Sequence, residues 1–141
     1  MSRIFWDTNL FVYLLEGNSQ FSPATRQLRK KMLARGDQLL TSALTLGELL
    51  VKPMERGDSA LCKAYETAIM QTASVLAFDS KTAWRYSAIR SSDRFVRPPD
   101  AIQLACAASA GVDLFVTNDH RLQGKQVAGI QFIVPLDNVP I

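Results

Sequence analysis

The chain has 141 residues, 48% hydrophobic and 21% charged, which fits one domain with a proper core and excludes a disordered chain. Sixteen Lys and Arg against thirteen Asp and Glu leave a net charge of +3, which permits a polyanionic partner without demanding one. Cys62 and Cys106 stand in no ligand spacing and read as buried reduced thiols in a reducing, cytoplasmic compartment; the apolar run Leu10 to Leu15 is too short for a signal or membrane segment.

In chain order, Ser2 to Asp7 reads as a buried strand, and Thr8 and Asn9 as caps of a short helix through Leu15. Gly17, Asn18 and Ser19 form a turn; Ser22-Pro23 opens a helix that Gly36 ends. Gln38 to Thr41 is a second strand. Thr45 caps a helix to about Arg56, with Leu46, Leu50 and Met54 as its apolar face and Pro53 as a kink or break. Asp58 or Ser59 opens the next helix, through about Thr72. Ser74 to Phe78 is a third strand, with Asp79 as a cap for a helix from Ser80 to about Arg90.

Ser91 to Pro99 reads as a flexible loop rich in charge and proline. A helix then runs from about Asp100 to Ala110, stopped by Gly111, before strands at Val112 to Thr117 and Ile130 to Val134. Short apolar strands alternating with helices predict a three-layer α/β sandwich, a five-stranded parallel sheet covered on both faces. Ligands of such sheets sit beyond the carboxyl ends of strands, where strand order reverses.

Four acids then attract notice. Asp7 and Asp119 close the first and fourth strands, Asp100 opens an Ala-rich helix, and Glu48 lies opposite the apolar face of its own. Each also has a plain structural role available: a cap for Asp7, a solvated helix face for Glu48, a dipole complement for Asp100, an Asx turn for Asp119. Gathered in one crevice, their repulsion calls for cations. Oxygen ligands with a single histidine, His120, favour Mg²⁺ or Mn²⁺ over zinc. Arg94 and Arg97 flank Asp100 and suit RNA phosphates, while Phe95 between them is either a base-stacking group or a core anchor. The basic helix face of Arg26, Arg29 and Lys30, with Lys31 and Arg35 nearby, is ordinary solvated surface or a second RNA track.

The segments FWDTN (5–9), LGELL (46–50), PDAIQLACAASAG (99–111) and DLFVTND (113–119) resemble, in type and order, those of the PIN domain, most closely the VapC-type toxins. The resemblance implies the strand order 3-2-1-4-5, which brings Asp7 and Asp119 together with Glu48 and Asp100 converging from helices. It implies a metal-dependent endoribonuclease, a homodimer restrained by a VapB-type antitoxin that lays a segment over helices near Leu10 to Leu15 and Leu46 to Met54. Asp7, Asp100 and Asp119 are then expected to bind one or two Mg²⁺ or Mn²⁺, with Glu48 as ligand or water-orienting group. Thr8, Asn9, Thr117 and Asn118 are expected to hold the carboxylates and water. RNA cleavage by metal-assisted hydrolysis would leave a 5′ phosphate and a 3′ hydroxyl. The double proline Pro98-Pro99 departs from the family pattern and is expected to stiffen its loop. Two rivals stay open: a catalytically silent PIN-like module that binds RNA or protein, and a metal phosphohydrolase of small molecules.

Overall fold

The apolar runs pair as one five-stranded sheet, all neighbours parallel, in a computed structural model that describes residues 1–141. Its strands are β1 (Arg3–Trp6), β2 (Gln38–Ser42), β3 (Ser74–Leu76), β4 (Val112–Val116) and β5 (Ile130–Val134). Their order is β3-β2-β1-β4-β5. The helices are α1 (Thr8–Leu15), α2 (Ser22–Arg35), α3 (Ala43–Glu55), α4 (Ser59–Thr72), α5 (Ser80–Ser92) and α6 (Pro98–Ala110), followed late in the chain by one 3₁₀ turn at Leu136–Asn138.

The two-residue period of a strand sends successive side chains to opposite faces, and β1 shows it. Ile4 and Trp6 enter one buried cluster with Leu10, Phe11 and Leu49; Phe5 enters the other with Leu104, Ala105 and Phe115. Phe5 and Phe115 stack across the β1–β4 ladder with ring centroids 5.0 Å apart. A central strand buried on both faces needs helices on both, which is the three-layer sandwich expected. Gly129, at φ +98°, permits the close approach of the β5 entry to α6: a Cβ there would lie 2.5 Å from the Ala108 carbonyl oxygen. No helix is long and apolar enough to cross a membrane. Both cysteines are free, with Cys106 buried.

Several boundaries differ from expectation for physical reasons. Helix α6 begins at Pro98, not Asp100, so the double proline forms its first turn; N–H groups there have no helical partner, and proline already has the required φ. Helix α5 runs on to Ser92, which leaves a short connector instead of a long loop. Asp7, not Thr8 or Asn9, is the N-cap of α1, its carboxylate accepting from the Thr8 N–H. Helix α3 begins two residues before Thr45 and continues through Pro53. Its buried face is Thr45, Leu49 and Pro53, while Met54 is 66% exposed. Strand β3 stops at Leu76, short of Phe78. Arg29 is half-buried rather than solvated, its guanidinium donating to the Thr72 carbonyl at 3.4 Å.

Candidate active site

The chain crosses from β1 outward to β2 and β3, then returns past β1 to β4 and β5. The crevice between the carboxyl ends of β1 and β4 is therefore the switch point of the sheet. Trp6 pairs with Val116 at the end of that ladder, and the Asp7 N–H extends it to the Val116 carbonyl at 3.0 Å. Asp7 and Thr117 thus emerge side by side, and the Thr117 hydroxyl donates to Asp7 Oδ2 at 2.7 Å. A cleft of about 610 Å³ opens there, lined among others by Asp7, Glu48, Asp100 and Asp119. All four acids meet in one crevice.

A polar lattice supports the Asp7–Glu48 wall. The Thr8 hydroxyl donates to Glu48 Oε1 at 2.6 Å. Gln103, buried on α6, donates its amide to Thr8 Oγ1 at 3.0 Å and to Thr45 Oγ1 at 2.8 Å, and accepts from the Ser42 hydroxyl. Thr41 reaches both the Thr45 hydroxyl, at 2.8 Å, and the Trp6 carbonyl, at 3.0 Å. Buried polar groups at this density are tolerable only when they partner one another, and they then fix side-chain positions. Burial pushes the Asp7 carboxyl up to about 6, aided by the charges of Asp100 and Glu48 and opposed by the Thr117 hydroxyl and Thr8 amide. The acids therefore sense one another electrostatically.

The opposite wall is held by cations. Arg121 grips Asp119 with two donors, Nε at 2.9 Å and Nη2 at 2.6 Å. Arg97 donates to Asp100 Oδ2 at 3.2 Å and lies 4.0 Å from Asp119. The Arg121 hydrogen bonds hold the Asp119 carboxyl below the usual carboxylate range. With Asp119 turned to Arg121 and Glu48 to Thr8, no three acidic, histidine or thiol groups converge tightly enough to hold an ion. The donor chemistry nevertheless fits a hard cation, since every candidate ligand is oxygen. Asn9 Oδ1, in the cleft lining, is buried with no hydrogen-bond partner and awaits a donor such as an ordered water. Guanidinium groups occupy the carboxylate oxygens of Asp119 and Asp100.

Residues 4–127 match the PIN domain family. The chain belongs to that family. Among solved structures, a chain of the VapBC2 complex from Rickettsia felis, bound to a DNA fragment from its promoter, superposes with TM-score 0.75 at 14% identity, covering 94% of this chain and 98% of that one. DNA-bound VapBC from Salmonella typhimurium gives 0.73 at 22% identity, covering 96% and 99%. VapBC-5 from Mycobacterium tuberculosis, of the VapBC family of toxin–antitoxin systems, gives 0.62 at 22%, covering 95% and 99%. No curated protein matches the sequence significantly.

Within this PIN domain, the hydroxyls of Thr8 and Thr117 bond Glu48 and Asp7, Thr117 also accepts from the Asp119 N–H at 3.0 Å, and the Asn9 amide donates to the Thr117 hydroxyl at 3.5 Å. The remaining polar position behaves otherwise: Asn118 does not touch an acid. Its amide is spent on Tyr13 Oη, 3.3 Å, and on the Leu136 N–H, 3.1 Å, because the strand end turns its side chain the other way. Arg97 faces the carboxylates of Asp100 and Asp119, and Arg94 is exposed. His120 is exposed, and Asp79 caps α5 as expected, accepting from the Thr82 N–H at 2.9 Å. Sequence reasoning missed Gln103, Thr45, Ser42 and Arg121. Gln103 carried a signal, as the one polar side chain before Ser109 in Ala101 to Ala110 and one turn from Asp100.

Proposed function

We propose that the whole chain acts as one metal-dependent endoribonuclease domain, the toxin of a toxin–antitoxin pair. The observation that carries this reading is the convergence of Asp7, Glu48, Asp100 and Asp119 on one cleft at the sheet's switch point. Asp7, Asp100 and Asp119 with Glu48 would hold Mg²⁺ or Mn²⁺, which would supply acidification of the attacking water and neutralisation of phosphate charge. Thr117 and Thr8 orient the carboxylates of Asp7 and Glu48 by donating hydroxyl protons to them. Asn9 Oδ1 accepts from the attacking water. Arg121 and Arg97, which border the carboxylates of Asp119 and Asp100, would offer guanidinium forks to phosphate oxygens. RNA as substrate, the Mg²⁺ or Mn²⁺ requirement, a homodimer and a VapB-type antitoxin rest on family membership and on relatives crystallised as VapBC complexes.

Purified protein incubated with total RNA should cleave it in Mn²⁺ or Mg²⁺, and excess EDTA or Asp100→Asn should stop cleavage. Undiminished cleavage in EDTA refutes the mechanism. The toxin assignment has its own assay: expression should arrest growth, a co-expressed upstream neighbour should relieve the arrest, and Asp7→Asn should be harmless. A second reading, a catalytically silent module, is favoured by the guanidinium contacts, which in it are permanent counter-charges. It requires that calorimetry detect no Mn²⁺ binding.

A further inference from the structure

Resting on the nuclease reading, we infer that Phe95 and Arg94 form a stacking ledge for an unpaired base of single-stranded RNA at the lip of the acid cleft. Phe95 is 81% exposed, and the Arg94 guanidinium lies over its ring at 5.3 Å from the centroid. That distance falls within cation–π range, so the guanidinium lies over one face of the ring and sets a positive charge beside it. Single exposed apolar side chains are ordinary. The backbone beneath this one is not.

The connector between α5 and α6 is anchored on every side. Asp93 accepts from the Phe95 N–H at 3.1 Å, its backbone carbonyl accepts from the Val96 N–H at 3.2 Å, and its carboxylate pairs with Lys125. Val96 is buried in the core and Pro98-Pro99 begin α6. The sequence expectation of a flexible loop is thus corrected, and the core anchor is Val96 rather than Phe95. A large ring held outward on a fixed backbone loses little conformational freedom when it binds.

Its position suits the chemistry. Arg97, two residues on, touches Asp100 at 3.2 Å, and two residues span at most about 7 Å of chain. The Phe95 backbone therefore lies within about 7 Å of a residue that faces the carboxylates, which is within the reach of one nucleotide. Arg94 and Arg97 place positive charge along the same path, matching a polyanion rather than an apolar protein segment. Stacking accepts any base but needs it unpaired, so the ledge selects looped or single-stranded RNA and discriminates weakly among sequences.

The test is anisotropy of a fluorescent single-stranded oligouridylate in Mn²⁺, with Asp7→Asn as parent to prevent cleavage. Phe95→Ala should weaken binding about 5- to 150-fold, the range for losing one aromatic–base stack. Phe95→Trp should restore it, Phe95→Leu should not, and Arg94→Ala should have a smaller effect. Trp84→Ala removes an equally exposed aromatic, 82%, that lies thirteen residues before the cleft-lining Arg97 rather than two, and should change nothing. Duplex RNA should bind parent and Phe95→Ala alike. Equal affinity of parent and Phe95→Ala overturns the ledge and leaves the nuclease standing. Full affinity in Phe95→Leu also overturns it, because leucine has no aromatic face on which a base can stack. A parent that binds no oligonucleotide overturns it too; the nuclease reading is judged separately, by wild-type cleavage.

Discussion

The two walls of the cleft carry the same functional group and treat it in opposite ways. Asp7 is buried among hydroxyls and amides with no cation against it, and its carboxyl is pushed up to about 6. Asp119, more open to water, is gripped by Arg121 and held low. Neutral donors just past β4, on α1 and on α6 fix one wall, whereas guanidinium groups neutralise the other.

The largest expected effect tests whether both walls serve one reaction. Asp7→Asn and Asp119→Asn should each reduce RNA cleavage at least about a hundredfold, since even outer partners of metal ligands are worth 10–100-fold. Cleavage by either variant at the wild-type rate would reduce that carboxylate to a cap. Next comes the lattice. Gln103→Leu leaves Thr45, Thr8 and Ser42 without their amide partner, so denaturant melts should show a loss of about 1–3 kcal/mol and cleavage should fall about tenfold or more. Unchanged stability would mean that water replaces the amide.

The third prediction separates the walls by pH. Folding favours protonated Asp7, because its folded value of about 6 exceeds the ordinary 3.8. That contribution is fully present below about pH 4 and is lost as pH rises through about 6. At pH 7 the ionised group costs up to about 3 kcal/mol. Asp7→Asn should therefore raise the melting temperature at pH 7 but not at pH 4, less than fully because asparagine accepts only one of the two hydrogen bonds. Asp119 has the opposite sign: its contribution is present above its ordinary value and is lost as pH falls through the depressed one. Asp119→Asn should give no gain at pH 7. The smallest effect is Arg121→Gln, which should tighten Mn²⁺ binding a few-fold in calorimetry; weaker binding would make Arg121 a support for the ion rather than its competitor.

The framework was legible in sequence because strand and helix ends carry punctuation: Gly36 and Gly111 stop helices and Ser22-Pro23 starts one, whereas Pro98-Pro99 reads as loop and forms the first turn of α6. Asp7 and Asp119 could be placed because each follows an apolar run that can only be a buried strand. The face of α3 was misread because an apolar wheel ranks Leu46 and Met54 above Thr45, while the fold buries Thr45 against Gln103 and Thr41. Hydrophobicity cannot reveal that a hydroxyl will find partners contributed by other segments. Arg121 stayed hidden for a related reason. Nothing in a linear reading distinguishes a guanidinium that turns back on Asp119 from one in solvent.

The join between β1 and β4 carries a consequence for timing. Thr117 meets Asp7 across 110 residues of sequence, and the Arg3 N–H reaches Asp113 across a similar span. Translation makes β1 before every other strand, yet β1 lacks its second neighbour until β4 has emerged. Long loops of this kind close late in folding. The nascent chain therefore carries Asp7, Thr8 and Glu48 through most of its synthesis without the Thr117 and Asp119 side of the cleft. A cleft built this way stays incomplete on the ribosome until β4 has emerged and paired with β1.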